Sequence, residues 1–205
     1  MSGSLEEART SRRFARKGSG SPLWHFLLGF IKHPMMVGSV IPSSKAMVDR
    51  MLAPVDWANC KLFVEYGPGV GTFTEHVLRH MAPDATLIAI DLNPDFVRYL
   101  RGKFTDSRLF PVTGSATDVG QIIADCGFDH ADYVLSGLPF STLPAGAGPK
   151  IAEQTHEVLR PGGAFLVYQV KRRASDYMAV HFTRIDKGYE WANVPPCHLF
   201  WGWKD

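Results

Sequence analysis

The chain has 205 residues, 45% of them hydrophobic and 20% charged, with a formal net charge of +2. That length suits one domain around one core, and the apolar fraction excludes a chain disordered throughout. The charge is too mild to argue for a nucleic-acid partner, and no apolar run reaches the roughly 18 to 20 residues of a membrane span. Cys60, Cys126 and Cys197 are odd in number, far apart and without metal-ligand spacing, so reduced thiols and no metal are expected.

Residues 1–21 read as a flexible basic leader, with Arg9, Arg12, Arg13, Arg16 and Lys17 crowded before GSGSP. An apolar signal region does not follow these charges directly, which points to a cytoplasmic protein. PLWHFLLGFIKHP is expected as a short helix. Its polar members His25, Gly29, Lys32 and His33 share one side, and Trp24, Leu27, Leu28 and Ile31 belong to a broad apolar face. That helix suits either a membrane surface or a lid. IPSSKAMVDRMLAP gives a second helix, with Ser43 or Ser44 as N-cap and Pro54 as its stop. Residues 22–53 thus form a helical extension before a single domain over 54–205.

From residue 61 strands and helices alternate. KLFVEY, TLIAID, RLFPV, ADYVLSGL and GAFLVYQV read as strands. Between them, helical faces run through Phe73, Val77, Leu78 and Met81, then Phe96, Val97, Leu100 and Phe104. Val119, Ile122, Ile123 and Cys126 mark the next, and Ile151, Thr155, Val158 and Leu159 the last, which Pro161-Gly162-Gly163 ends. The aromatic-rich remainder supplies two further strands around Pro195-Pro196. The pattern predicts an α/β fold: a doubly wound, mostly parallel sheet covered on both faces, seven-stranded and Rossmann-like. Ligands of such sheets bind beyond the carboxyl ends of the strands.

Four loops meet that edge. FVEYGPGVGTF places Gly67, Gly69 and Gly71 after Glu65, so the backbone can approach a ligand closely. A dinucleotide motif would need its third glycine where Thr72 stands, and there is no phosphate-binding G-K-[ST]. Asp91 ends the second strand, where a carboxylate can accept both hydroxyls of a ribose; capping of the next helix is already met by Asn93. GSATD and SGLPF complete the set. Together they indicate an adenosine-type ligand.

E-Y-G-P-G-V-G followed by I-A-I-D-L-N-P resembles the first two motifs of class I S-adenosylmethionine-dependent methyltransferases, over residues 61–171. The resemblance implies S-adenosyl-L-methionine as cofactor. It assigns Glu65 to the loop and the methionine amine, Gly67, Gly69 and Gly71 to the methionine portion, and Asp91 with Leu92 to the ribose. Many relatives have G-D-A where this chain has Gly114-Ser115-Ala116, so Ser115 stands where an aspartate would hold the adenine amine, with Ala116 beside it at the cofactor. SGLPF is placed like the N-L-P-Y of ribosomal RNA adenine N6-methyltransferases, with Gly137 where the asparagine would grip the target amine.

From about residue 24 to 201 the chain looks more like the bacterial phospholipid N-methyltransferases. These pair F-x-x-x-P-x-x-V-G-x-x-x-P-S-S, here Phe30 to Ser44, with a V-S-G-L-P strand end and a late N-[LV]-P-P, here Asn193 to Pro196. The resemblance implies N-methylation of phosphatidylethanolamine toward phosphatidylcholine, by a monomer held peripherally on the anionic inner face of the membrane. The expected site then comprises Ser136, Gly137, Leu138 and Tyr66 for catalysis, Ser43 beside the cofactor, and Phe140, Lys171, Arg172 and Arg173 for the head group, a solvated charge run being the equal alternative for the last three. Trp191, Phe200, Trp201 and Trp203 are expected as sheet core, with an interfacial aromatic surface as the alternative. RNA adenine methylation is the rival activity.

Overall fold

The apolar runs of the sequence become the middle of one sheet. In the computed structural model residues 44–205 are described; the basic leader, the PLWHFLLGFIKH segment and Ser43 lie outside them. The helices are α1 (Lys45–Leu52), α2 (Thr72–His80), α3 (Pro94–Lys103), α4 (Val119–Asp125), α5 (Ala147–Val158) and α6 (Arg173–Met178). The strands are β1 (Leu62–Tyr66), β2 (Thr86–Asp91), β3 (Leu109–Thr113), β4 (Ala131–Ser136), β5 (Leu159–Gln169), β6 (Arg184–Glu190) and β7 (Cys197–Trp203). They form a seven-stranded sheet in the order β3-β2-β1-β4-β5-β7-β6. Pairing is parallel from β3 through β5, and β7 runs antiparallel to both β5 and β6.

Strand alternation sorts the core into two layers. On one face Phe63, Leu87, Tyr133, Leu135, Leu166, Leu199 and Trp201 pack with α1 and α2. On the other, Val64, Ile88, Val134, Phe165 and Phe200 pack against α4, α5 and α6. Full burial of a side chain such as Phe63 or Phe165 is worth about 1.5–3 kcal/mol. Ser44 is the cap of α1: its hydroxyl accepts from the Met47 amide at 3.2 Å. The helix then buries Met47, Val48, Met51 and Leu52, and the Trp201 indole donates to the Met51 carbonyl at 2.9 Å.

Two details depart from expectation. Pro161-Gly162-Gly163 does not simply end a helix. α5 stops at Val158, and the three residues fall within β5, where pairing with β4 shifts between Ala131 and Tyr133. The path there is close: a Cβ on Gly163 would lie 2.7 Å from the Asp132 carbonyl oxygen. The late aromatics also divide. Phe200 and Trp201 are buried, and Trp203 is half-buried with Arg184 over its ring at 4.5 Å, whereas Trp191 is exposed.

Candidate active site

Strand order reverses direction beside β1, so the crevice of this sheet opens between the carboxyl ends of β1 and β4. Glycines extend the ladder past the strands: Gly67 N donates to Ile90 O at 2.9 Å, Gly114 N to Asp91 O at 3.0 Å and Gly137 N to Tyr66 O at 3.0 Å. The three loops are thereby held side by side. Gly67, Gly69 and Gly71 have φ of 64°, 54° and 80°, a conformation that costs other residues strain. Their roles differ. A Cβ at Gly71 would sit 2.8 Å from Leu100 Cδ2 and Phe104 Cε2, so this glycine lets α2 start against α3. A Cβ at Gly67 would meet Leu138 Cδ2 at 3.0 Å, in the gap between the glycine loop and the SGLP loop. Only a bare backbone keeps that gap open.

Two carboxylates stand at the ends of β1 and β2. Glu65 is buried at the end of β1, and Thr74 Oγ1 donates to its Oε2 at 2.6 Å. Burial raises its pKa to about 7, against the lowering effect of the Thr74 hydrogen bond. Asp91 accepts from the Asn93 amide at 2.8 Å. Desolvation raises its pKa, and the Asn93 and Gly69 amides oppose that rise. An ionised carboxylate offers about four lone-pair sites, so both keep acceptor capacity. Bare glycine backbone, one carboxylate beside it and a second at the end of β2 fit the ammonium and ribose of S-adenosylmethionine. Ser115 is occupied locally: its hydroxyl lies 2.7 Å from Thr117 Oγ1 and accepts from the Thr117 amide at 3.2 Å. Ala116 is buried beneath it, and Leu92 stands exposed after Asp91.

The structure redistributes the expected acceptor residues. Tyr66 is not at the site. Its side chain points into the helical layer, fully buried, with its hydroxyl 3.1 Å from Thr155 Oγ1 of α5, and burial raises its pKa well above the ordinary tyrosine value. It neither touches the pocket nor gives up its proton readily. Phe140 is likewise core, buried against Phe165 and Tyr177. Ser136 is fully buried and its hydroxyl accepts from the Leu138 amide at 3.3 Å, so it shapes the turn and does not reach a substrate. Gly137 and Leu138 do face Gly67. Lys171, Arg172 and Arg173 are exposed where β5 ends, and Arg172 lines a separate groove toward β6 and β7.

Sequence reasoning missed several residues. Tyr168 stacks on Phe73 at 4.8 Å, and its hydroxyl lies 2.4 Å from where a Cβ on Gly137 would be. Buried Gln169 donates through Nε2 to the Leu138 carbonyl, fixing the SGLP loop; a glutamine closing an otherwise apolar strand was the available signal. Asn193, which the N-V-P-P segment singles out without a role, accepts from the Ser44 amide through Oδ1 at 2.9 Å, and its Nδ2 donates to Pro195 O at 2.8 Å. The end of the P-S-S segment and the N-V-P-P segment, distant in sequence, are thus joined. Among the described residues no group of three or more His, Cys, Asp or Glu is arranged to hold a metal, and no helix is long and apolar enough to cross a membrane.

Comparison with known proteins agrees with this geometry. Residues 63–163 match a family model described as a methyltransferase domain. An ornithine lipid N-methyltransferase of Singulisphaera acidiphila is 30% identical over 179 residues, covering 85% of this chain and 92% of that protein. A putative O-methyltransferase of Mycobacterium sp. (strain KMS) is 29% identical over 140 residues, 66% of this chain and 59% of that one. Among solved structures, precorrin-6y C5,15-methyltransferase from Geobacter metallireducens superposes with a TM-score of 0.64 at 14% identity, over 79% of this chain and 89% of that one. That likeness establishes the fold. The cofactor is S-adenosylmethionine, and the chain belongs to the class I S-adenosylmethionine-dependent methyltransferases.

Proposed function

We propose that the enzyme methylates the amine of a membrane-lipid head group: phosphatidylethanolamine and its partly methylated forms, toward phosphatidylcholine. It acts as a monomer held peripherally on the anionic inner face of the bacterial membrane. The observation that carries this reading is the match along nearly the whole of a lipid N-methyltransferase, that of ornithine lipid. An amine on a lipid is the chemistry the two acceptors share.

The chemistry asks mainly for desolvation and positioning. The bound cofactor supplies an electrophilic methyl group on a sulfonium, so the protein's task is to align a neutral amine, and no covalent enzyme intermediate is needed. An ammonium with a lysine-like pKa is only about a thousandth neutral at pH 7, a cost of about 4 kcal/mol. Desolvation lowers such a pKa, and Gly137 has apolar Leu138 next to it and Tyr168, stacked on buried Phe73, against it. The Leu138 carbonyl is no free proton acceptor: Gln169 Nε2 and the Phe140 amide both donate to it. Positioning therefore carries most of the catalysis.

The rival, RNA adenine methylation, is disfavoured at position 137. An amine-gripping asparagine there would require Tyr168 to move, because its Cβ would lie 2.4 Å from the Tyr168 hydroxyl. Radiolabelled methyl transfer to vesicles containing phosphatidylethanolamine, to vesicles containing ornithine lipid and to structured RNA tests the reading. Label in phosphatidylethanolamine is expected. Label confined to ornithine lipid would keep the lipid reading and replace the acceptor; label in RNA alone would overturn both.

A further inference from the structure

The described carboxyl edge carries a second concavity, away from the glycine loops. A groove of about 820 Å³ lies where α6 meets the β6–β7 hairpin, with Arg50, Arg172, Lys187, Tyr189, Trp191 and His198 among its walls. Its charge is one-sided. Arg50 is 3.6 Å from Glu190 Oε2, which it answers, and it also donates to Tyr189 O at 2.9 Å. Arg172 and Lys187 are exposed, and neither forms an ion pair with a described carboxylate. Desolvation first and then Arg172 lower the pKa of His198 in the groove wall. Beside this cationic groove stand apolar side chains without cover. Trp191 is 77% exposed, its ring edge-on to Tyr189 at 4.5 Å, and Val194 in the same turn is 73% exposed.

We propose that the β6–β7 corner is a docking surface for anionic lipid, with Trp191 and Val194 entering the boundary between head groups and acyl chains. Arg172 and Lys187 then hold the negative head group of one lipid in the groove. Exposed tryptophan beside cations matches the layered chemistry of a bilayer surface, apolar below and anionic above. A soluble anion would use the cations and leave Trp191 and Val194 without a purpose. The corner lies on the same sheet edge as Gly67, Asp91 and Leu138, so docking there turns the cofactor crevice toward the membrane. This inference rests on the lipid-acceptor reading above and adds a location to it.

The test is sedimentation of the full chain with phosphatidylglycerol-containing and purely phosphatidylcholine vesicles, without any methyl-transfer step. W191S combined with V194S is expected to weaken binding to anionic vesicles about tenfold. R172Q and K187Q should each weaken it about fivefold at low salt, converging with wild type at high salt. K61Q, which removes the same charge at the opposite sheet edge, should sediment as wild type. Calorimetric S-adenosylmethionine binding, unchanged in all variants, verifies the fold. Corner variants that sediment as wild type, or wild type that binds both vesicles equally, would overturn the proposal. Loss of binding in the corner variants of a chain that methylates no lipid would support the surface and refute the acceptor reading.

Discussion

The two halves of the carboxyl edge are built for opposite charges. Over β1 and β2 the strand-ending side chains are Glu65 and Asp91, set among glycines. Beyond the end of β5 and along β6 the side chains are Lys171, Arg172 and Lys187 among aromatics, with Glu190 answered by Arg50. A ligand with an ammonium, a sulfonium and a ribose suits the first half. A ligand that is anionic and amphiphilic suits the second. Leu138, against Gly67 on one side and tied to Gln169 on the other, sits at their junction. If the proposed lipid acceptor is right, donor and acceptor are recognised by separate electrostatics and need meet only at the reacting atoms.

The largest effect expected in the acidic half is on stability. The folded chain holds the Glu65 proton up to about pH 7, whereas an unfolded glutamate releases it near 4.5. Between those values the unfolded state binds fewer protons, so the stability of the ligand-free protein falls as pH rises. The loss amounts to about 3 kcal/mol and is complete above pH 7. Glu65→Gln removes that penalty while Thr74 can still donate to the amide oxygen. Urea denaturation should show the variant gaining on wild type from pH 5 to 8. Parallel curves across that range would mean Glu65 is already ionised. In wild type the affinity for the cationic cofactor should also rise through pH 7, and in the variant it should stay flat.

Asp91→Ala comes next. Loss of hydrogen bonds to a bound ribose is worth roughly 1–3 kcal/mol, about 5- to 150-fold in the dissociation constant. Calorimetry should show this with an unchanged melting profile, and unaltered affinity would remove Asp91 from the ribose site. Smaller still is Tyr66→Phe. It leaves the Thr155 hydroxyl without its partner and should cost about 1 kcal/mol of stability. The kcat should not change. A large fall in kcat would restore the tyrosine to the reaction.

The acidic half was legible in the sequence because its signals are local. A strand, three glycines and a following helix fix one another within a dozen residues, and Asp91 ends the next apolar run. The β-α alternation gave the fold for the same reason. Side-chain direction was not legible. Tyr66 and Phe140 border the correct loops, but strand alternation and the turn after β4 send both into the helical layer. The cationic half depends on pairings far apart in sequence: β7 threads between β5 and β6, and Asn193 reaches back to Ser44. Nothing in the order of residues announces that Arg50, Arg172 and Lys187 share one groove. Ser115 shows a subtler limit, since its position matched an adenine contact while its hydroxyl is engaged with Thr117.

The division of the edge is tested most directly by steady-state kinetics with labelled S-adenosylmethionine and amino-lipid vesicles, varying each substrate in turn for Asp91→Ala and Arg172→Gln. The account predicts that D91A raises the KM for S-adenosylmethionine and leaves that for lipid near the wild-type value, while R172Q does the reverse. A rise in the cofactor KM of R172Q with an unaltered lipid KM would contradict it.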